Sequence, residues 1–373
     1  MVGVQNLPAS DPGFADGMTM KVVGIGQTIP YPGKLGLSRR VAERERDAAA
    51  AALDGARLKV TRETRTAGYE LAFLDQALAI LGRNREVLIA LIEVTETRYG
   101  TGTGGQRELL EARIGAGRLA ETAVDLTERR RATVARLNAL LDRPSDAPVG
   151  WPAIPRRVVR AAVVDSASEV RFASSAFGAR ASDSPLPPVA ELQAIALREN
   201  PMLRESAALV DVRVARAELA ARASLPDVDI AVQYGQRTGR SDMLTAMVSM
   251  PLPIRKGKKQ DAEVAAVTAD LRAAEADLHA RQNDVRADIA RLHAELERDR
   301  AQLALYVKSI VPQGRALLTS AMAGLQAGGN EFQAVLERQA TLFDYEMEYA
   351  RLISRFAATL AELEQVVGKE VLP

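Results

Sequence analysis

The residues of this chain that could do chemistry are few and widely spaced. Histidine occurs only at His279 and His293, and there is no cysteine. The two histidines stand two heptads apart on a predicted helix, about 21 Å along its axis, so they cannot bind one metal ion together. No phosphate-binding glycine loop, zinc-protease motif or nucleophile elbow occurs. The sequence therefore predicts no catalytic residue, no cofactor and no metal site.

The composition is typical of long helices rather than of a compact enzyme. Lysine and arginine total 49 against 48 aspartate and glutamate, and aromatic residues make up 4% of the 373 residues. A balanced charge argues against nucleic acid as a partner. Residues 1–12 contain no recognisable signal peptide, and no run of 18 apolar residues occurs. Two interpretations stay open here, a soluble protein or a β-barrel protein with short alternating strands.

The elements that would position any site are long helices separated by glycine or proline. Residues 35–98 contain no proline and carry a heptad seam that includes Leu71, Leu74, Leu78 and Leu81. Glycines at 99–105 end this helix, and a second helix runs to about residue 141. Further helices are predicted at 189–223 with a break at Pro201, at 256–326 with a kink at Pro312, and at 331–367.

Two stretches of β pattern precede the helical hairpins. Residues 228–234 and 244–250 alternate apolar and polar side chains, and 19–29 is a β-type segment before the first Pro-x-Pro turn. We therefore divide the chain into a first strand pair (1–34), a first helical hairpin (35–143, tip near 99–105), a connecting segment (144–188), a helix (189–225), a second strand pair (226–254) and a second helical hairpin (255–373, tip near 325–330).

The two halves repeat one plan. IPYPGK at 29–34 resembles MPLPIR at 250–255, and YGTG at 99–102 resembles LQAG at 325–328. Each half then has the order strand, strand, long helix, glycine tip, returning helix. A helix precedes the strands in the second half only, so we expect a first helix and a signal peptide to be missing before residue 1.

This duplicated plan resembles the TolC-type outer-membrane efflux family. QNLP at 5–8, MTMK at 18–21, QTIPYPGK at 27–34 and RYGTGT at 98–103 are similar to its heavy-metal (CzcC-like) branch. The resemblance implies a mainly α fold with a small β part, in which three copies form an α-helical barrel and one shared transmembrane β-barrel. It implies a passive exit duct of a tripartite efflux pump for heavy-metal cations, with an RND-type transporter of the inner membrane and a periplasmic adaptor as partners. The alternative is a soluble or periplasmic coiled-coil scaffold or adaptor without transport activity.

The resemblance also assigns roles near the helical tips. Five tip glycines could dock the adaptor, although any helix reversal needs such residues: Gly100, Gly102, Gly104, Gly328 and Gly329. Glu108, Glu111 and Glu337 could form a threefold acidic ring in the lumen, or belong to an ordinary solvated face.

Two further assignments concern the membrane. Val228, Ile230, Val232 and Tyr234 would face lipid, or else form one face of a half-buried soluble sheet. A basic cluster follows the second Pro-x-Pro turn, where it would meet anionic lipid headgroups or form a solvated helix start: Arg255, Lys256, Lys258 and Lys259.

Overall fold

A computed structural model describes residues 2–6, 18–150, 152–163, 186–237, 239–251, 256–327 and 332–372. These residues fall into two compact units. One unit combines Met1–Ala52 with Met202–Arg281, and the other combines Leu53–Pro201 with Gln282–Pro373. Each unit therefore takes residues from both halves of the repeat.

Four strands and eight α-helices make up the described chain. The strands are β1 (Val2–Gln5), β2 (Met20–Ile29), β3 (Val228–Arg237) and β4 (Met243–Ser249). The helices are α1 (Lys34–Gly100), α2 (Gln106–Leu140), α3 (Arg156–Ala162), α4 (Val189–Glu199), α5 (Pro201–Ala221), α6 (Lys256–Leu305), α7 (Val311–Gln326) and α8 (Phe332–Val367). This order confirms the predicted plan of strand pairs followed by long helical hairpins.

The strands form one antiparallel sheet in the order β1-β2-β3-β4. Strands β2 and β3, one from each half of the repeat, pair from Met20 opposite Arg237 to Ile29 opposite Val228. Gly24 is required by this pairing, because a Cβ there would lie 2.9 Å from the carbonyl oxygen of Val232. The sheet therefore joins the two halves of the chain within a single unit.

The second unit is held together by packing between α1 and the returning helices α2 and α8. Phe73, Leu74, Ile80 and Leu81 of α1 form one buried cluster with Leu126, Met347 and Ala350. The predicted seam is thus correct in this part of α1. Leu53 and Val60, which belong to the same predicted seam, are about half exposed.

Proline residues interrupt the helices where the sequence predicts it. Pro201 separates α4 from α5. Ahead of Pro312, residues Tyr306–Ile310 form a π-helical turn, and the N–H of Val311 donates to the carbonyl of Tyr306. A proline inside an α-helix removes one hydrogen bond and clashes with the preceding turn. The wider π turn accommodates that defect, so helical structure continues into α7.

A fully buried carboxylate links α6 to α8. Asp299 has no exposed side-chain surface, and it accepts two hydrogen bonds from Arg355, from Nε at 2.9 Å and from Nη2 at 2.7 Å. Arg298 donates two more, at 3.0 and 2.9 Å. These charge-assisted bonds offset the cost of burying the charge.

The C-terminal end of α8 is fixed by a reversed turn and an ion-pair cluster. Gly368 has φ +90°, and a Cβ there would lie 2.6 Å from the carbonyl oxygen of Glu199. Arg65 bridges Glu364 and Glu370 at 2.7 Å each, and Arg157 also pairs with Glu370 at 2.9 Å. The hydrogen bonds from the two arginines lower the pKa of Glu370 to about 2.

Candidate functional site

One face of the sheet is apolar and exposed. Pairing places Val2, Val23, Tyr234 and Leu244 side by side across all four strands, and each is at least 49% exposed. The next row along the sheet contains Ile25 and Val232, which are 82% and 40% exposed. Because paired residues of neighbouring strands point to the same side, these rows form one continuous apolar surface.

The four predicted lipid-facing residues all lie on this face. Ile230, Val232 and Tyr234 are exposed, whereas Val228 is only partly exposed. Val23 and Ile25 of β2 add to this surface and were not among the predicted residues. Leu244 and Val248 of β4 also lie on it, within the predicted alternating stretch 244–250. In β2 the alternation is hidden because Gly24 and Gly26 occupy positions of the opposite face.

The opposite face of the sheet combines polar and apolar side chains. Met20 and Val22 are buried there, and Met243 and Met247 are 40% and 49% exposed. The side-chain amide of Gln5 donates to Oε1 of Gln233 at 3.1 Å, and the Thr28 hydroxyl donates to Oδ1 of Asp229 at 2.6 Å. Both bonds connect different strands, so they tie β1 to β3 and β2 to β3 through side chains. A sheet with one apolar exposed face and one face that carries polar side chains is suited to a wall between lipid and water.

The sheet has two open edges. Strand β1 pairs only with β2, and β4 pairs only with β3, among the described residues. All seven residues of β4 are exposed. An exposed, apolar edge strand presents unpaired backbone groups that favour pairing with another strand.

The junction between the first strand pair and α1 is built on a charged contact. Lys34 donates from Nζ to Oδ1 of Asp227 at 2.8 Å and to the carbonyl of Leu225 at 2.7 Å. Arg255 of the predicted basic cluster lies outside the described residues. Lys256 begins α6, and Lys258 and Lys259 follow in its first turn, but the structure does not describe their side chains.

The first helical tip is a tight reversal capped by threonines. The carbonyl of Arg98 accepts hydrogen bonds from the backbone N–H groups of Thr103 and Gly104, both at 2.9 Å. Gly102 has φ +71°, and a Cβ on Gly104 would lie 2.9 Å from that of Arg98, so both positions require glycine for local geometry. Gly100 ends α1, and a Cβ added at this position would have no other atom within 4 Å. Gly328 and Gly329 lie outside the described residues.

The structure brings two of the three predicted ring residues together. Glu111 and Glu337 line the same cavity of about 500 Å³ between α1, α2 and α8. Glu111 lies 3.6 Å from Arg107, and Glu337 is exposed beside Gln333. Glu108 does not line this cavity, and its Oε2 is buried without a hydrogen bond from the described residues.

Neither a metal cluster nor a membrane-spanning helix emerges from the described ranges. Within them, no group of three or more histidine, aspartate or glutamate side chains is placed to hold a metal ion. Likewise, none of their helices combines the length and the apolar character needed to cross a bilayer.

Comparison with known protein families identifies the family of this chain. The family described as outer membrane efflux protein matches residues 2–143 and 192–369. The chain belongs to the outer membrane efflux protein family. Members of this family are passive conduits and not enzymes, which agrees with the absence of catalytic motifs in the sequence.

Solved structures of outer-membrane channels share the fold of this efflux protein at low sequence identity. The outer membrane protein VceC of Vibrio cholerae has a TM-score of 0.77 at 17% identity, with 100% of this chain and 87% of that chain covered. The MtrE outer membrane channel of Neisseria gonorrhoeae, solved in its open state, has a TM-score of 0.73 at 15% identity, with 100% and 79% covered. CusC, whose structures concern transmembrane channel formation, has a TM-score of 0.73 at 13% identity, with 94% and 83% covered. A search of the curated proteins gave no significant match.

Proposed function

We propose that this efflux protein is the outer-membrane exit duct of a tripartite pump, a passive conduit assembled from three copies. The main support for this proposal is the four-stranded sheet. An open edge is not tolerated in lipid, because each unpaired backbone group costs several kcal/mol. Four strands with an apolar outer face and two free edges therefore need further strands, and three copies would supply twelve for one closed barrel. In this assignment residues 1–34 and 226–254 form the membrane part, and both helical hairpins, together with 144–225, lie in the periplasm.

The chain itself offers a sharp test, because it contains no native cysteine. Leu244 and Thr245 are neighbours on β4, both are exposed, and they belong to opposite faces of the sheet. We would introduce Leu244→Cys and Thr245→Cys separately, attach a spin label and reconstitute each variant in lipid. The label at 244 should collide with oxygen, which concentrates in lipid, and the label at 245 with a water-soluble nickel complex.

The same measurement distinguishes the alternative function. A soluble scaffold would leave both labels accessible to the nickel complex, and that result would refute the membrane assignment. Recovery of the protein from the outer-membrane fraction as a trimer that resists SDS supports the exit duct, whereas a soluble monomer argues for the scaffold.

Docking of a periplasmic adaptor is proposed for the helical tips, at Gly100, Gly102, Gly104, Gly328 and Gly329. Gly100 is the most informative of these residues, because its position has free space on the described structure. Gly117 of α2 is a matched control, since a Cβ there also meets nothing within 4 Å. Gly100→Trp should abolish co-purification of a helical-hairpin adaptor while Gly117→Trp retains it. Equal retention by both variants would remove the tip from the proposed interface.

Heavy-metal cations as cargo and an RND-type transporter as energy source are proposed from the sequence resemblance. The lumen near the tips would be made selective for cations by Glu108, Glu111 and Glu337. Lipid headgroups would be contacted by the basic cluster Arg255, Lys256, Lys258 and Lys259. Single-channel recording tests the ring, since Glu111→Gln with Glu337→Gln should reduce the preference for cations over anions. An unchanged preference would place these carboxylates outside the conducting path.

A further inference from the structure

A cavity of about 670 Å³ lies beside the π-helical turn in the unit formed by residues 53–201 and 282–373. Its walls come from α1, from residues 152–159, from the π turn and the start of α7, and from α8. A volume of this size is in the range of pockets that hold small organic molecules. None of the roles proposed above for the sheet, the tips or the ring uses this cavity.

One wall of the cavity carries a buried carboxylate with an unused acceptor. Asp75 is 4% exposed, and its Oδ1 accepts a hydrogen bond from Nε of Arg130 at 2.6 Å. Its Oδ2 is buried and accepts no hydrogen bond from the described residues. A buried acceptor without a donor costs on the order of 1–3 kcal/mol, and more when it is charged. A ligand that donates to Oδ2 would remove this cost.

The other walls are apolar and aromatic. Phe73, Tyr306 and Tyr349 line the cavity together with Ile80 and Ile353. Tyr306 is the first residue of the π turn, so the local widening of the helix helps to form this wall. Segments of π-helix are rare and often occur at functional sites.

The other charged side chains of the lining form one ion-pair cluster of two arginines and one glutamate. Glu346 pairs with Arg315 at 2.6 Å and with Arg83 at 3.9 Å. Asp75 is therefore the lining carboxylate with a free acceptor position, and an incoming donor does not have to displace an existing bond. Carboxylates form their strongest hydrogen bonds with charged donors, and aromatic rings attract cations.

We propose that this cavity binds a small amphipathic amine, whose ammonium group donates to Oδ2 of Asp75 and whose apolar body packs among Phe73, Tyr306 and Tyr349. A bare metal ion does not fit, since the described residues offer no group of three metal-ligating side chains here. The site does not depend on the exit-duct proposal, because it needs neither a membrane nor a second copy.

Calorimetric titration of the full-length protein in amphipol tests this site directly. The probe is 4-phenylbutylammonium, and 4-phenylbutyrate is the control of similar shape and opposite charge. We expect saturable binding of the ammonium and none of the carboxylate. Saturable binding of both probes with equal affinity would refute an ammonium site, as would a failure of the ammonium to bind.

Two variants separate ligation from a structural role. Asp75→Asn keeps the shape of the side chain and should weaken ammonium binding at least tenfold. Arg130→Met removes the competing cation and should leave the affinity unchanged or increase it. A purely structural role for the Asp75–Arg130 pair predicts that both variants lose binding together, which would overturn the proposal.

A third variant keeps the proposal falsifiable if the pair proves necessary for folding. Ala72 lines the cavity and is half-buried, away from the contact between Asp75 and Arg130. Ala72→Phe should fill part of the cavity and abolish ammonium binding, with the thermal midpoint reported alongside. Undiminished binding by a folded Ala72→Phe protein would place the ligand elsewhere.

Discussion

Replacing Arg355 by methionine tests how much of the stability depends on the buried carboxylate of Asp299. The substitution keeps most of the apolar stem and removes two charge-assisted hydrogen bonds to a side chain without any exposed surface. Each such bond contributes about 1.5–3 kcal/mol. Arg298 retains its two bonds to the same carboxylate, so we expect a loss of about 3 kcal/mol, at the lower end of the range for breaking a buried ion pair.

The assay is the thermal midpoint of the purified protein at one fixed concentration and in one detergent. A loss of about 3 kcal/mol corresponds to a decrease of roughly 6 °C, at about 2 °C per kcal/mol for a large chain. Arg131→Met is the matched control, because Arg131 pairs with Glu128 on an exposed helix surface. Such pairs contribute about 0.3–0.5 kcal/mol, so this midpoint should move by 1 °C or less.

A double variant identifies the cause of the loss. Adding Asp299→Asn to Arg355→Met removes the charge that the single variant leaves buried, so the double variant should melt above Arg355→Met. The prediction fails if Arg355→Met moves the midpoint no more than Arg131→Met. It also fails if the double variant melts lower than Arg355→Met alone, because the lost bonds would then matter more than the unpaired charge.

Three further predictions address other regions of the chain. Gly368→Ala should lower the thermal midpoint more than any exposed helical Gly→Ala change, because of its positive φ and the 2.6 Å approach to a carbonyl oxygen; an unchanged midpoint would contradict this. Val232→Lys should reduce the yield of membrane-inserted trimer by an amount corresponding to about 2–4 kcal/mol at the bilayer centre, and Thr245→Lys on the opposite face should not; equal yields would show that the faces are not distinguished by lipid. The pKa of Glu370 is about 2, below its ordinary value of 4.5, so the stability that this carboxylate contributes to the fold is complete above pH 4.5 and is lost as the pH falls toward 2. The difference in thermal midpoint between wild type and Glu370→Gln should therefore be largest near pH 7 and shrink by pH 3. Because this carboxyl is half exposed, the effect is below about 1 kcal/mol.

Only part of the candidate site could be predicted from the sequence. The exposed face of β3 was predicted because Val228, Ile230, Val232 and Tyr234 alternate with smaller or polar residues. The equivalent face of β2 was not, because glycine at 24 and 26 removes the contrast between its two sides. Asp75 gave no signal at all, because its partner Arg130 lies on a different helix and only packing of α1 against α2 brings the two together.

The sequence by itself determined the elements and their duplicated order. Proline and glycine limit the backbone locally, and heptad or alternating patterns are properties of neighbouring residues, so the long helices, the strands and the breaks at Pro201 and Pro312 could be predicted from short stretches. Only the tertiary structure decided which residues meet across hundreds of positions: the pairing of β2 with β3, the burial of Asp299 between two arginines, the common cavity of Glu111 and Glu337, and the cavity beside the π turn. These depend on register and packing between distant elements, where many arrangements satisfy the same local pattern and the free energy of burial selects among them.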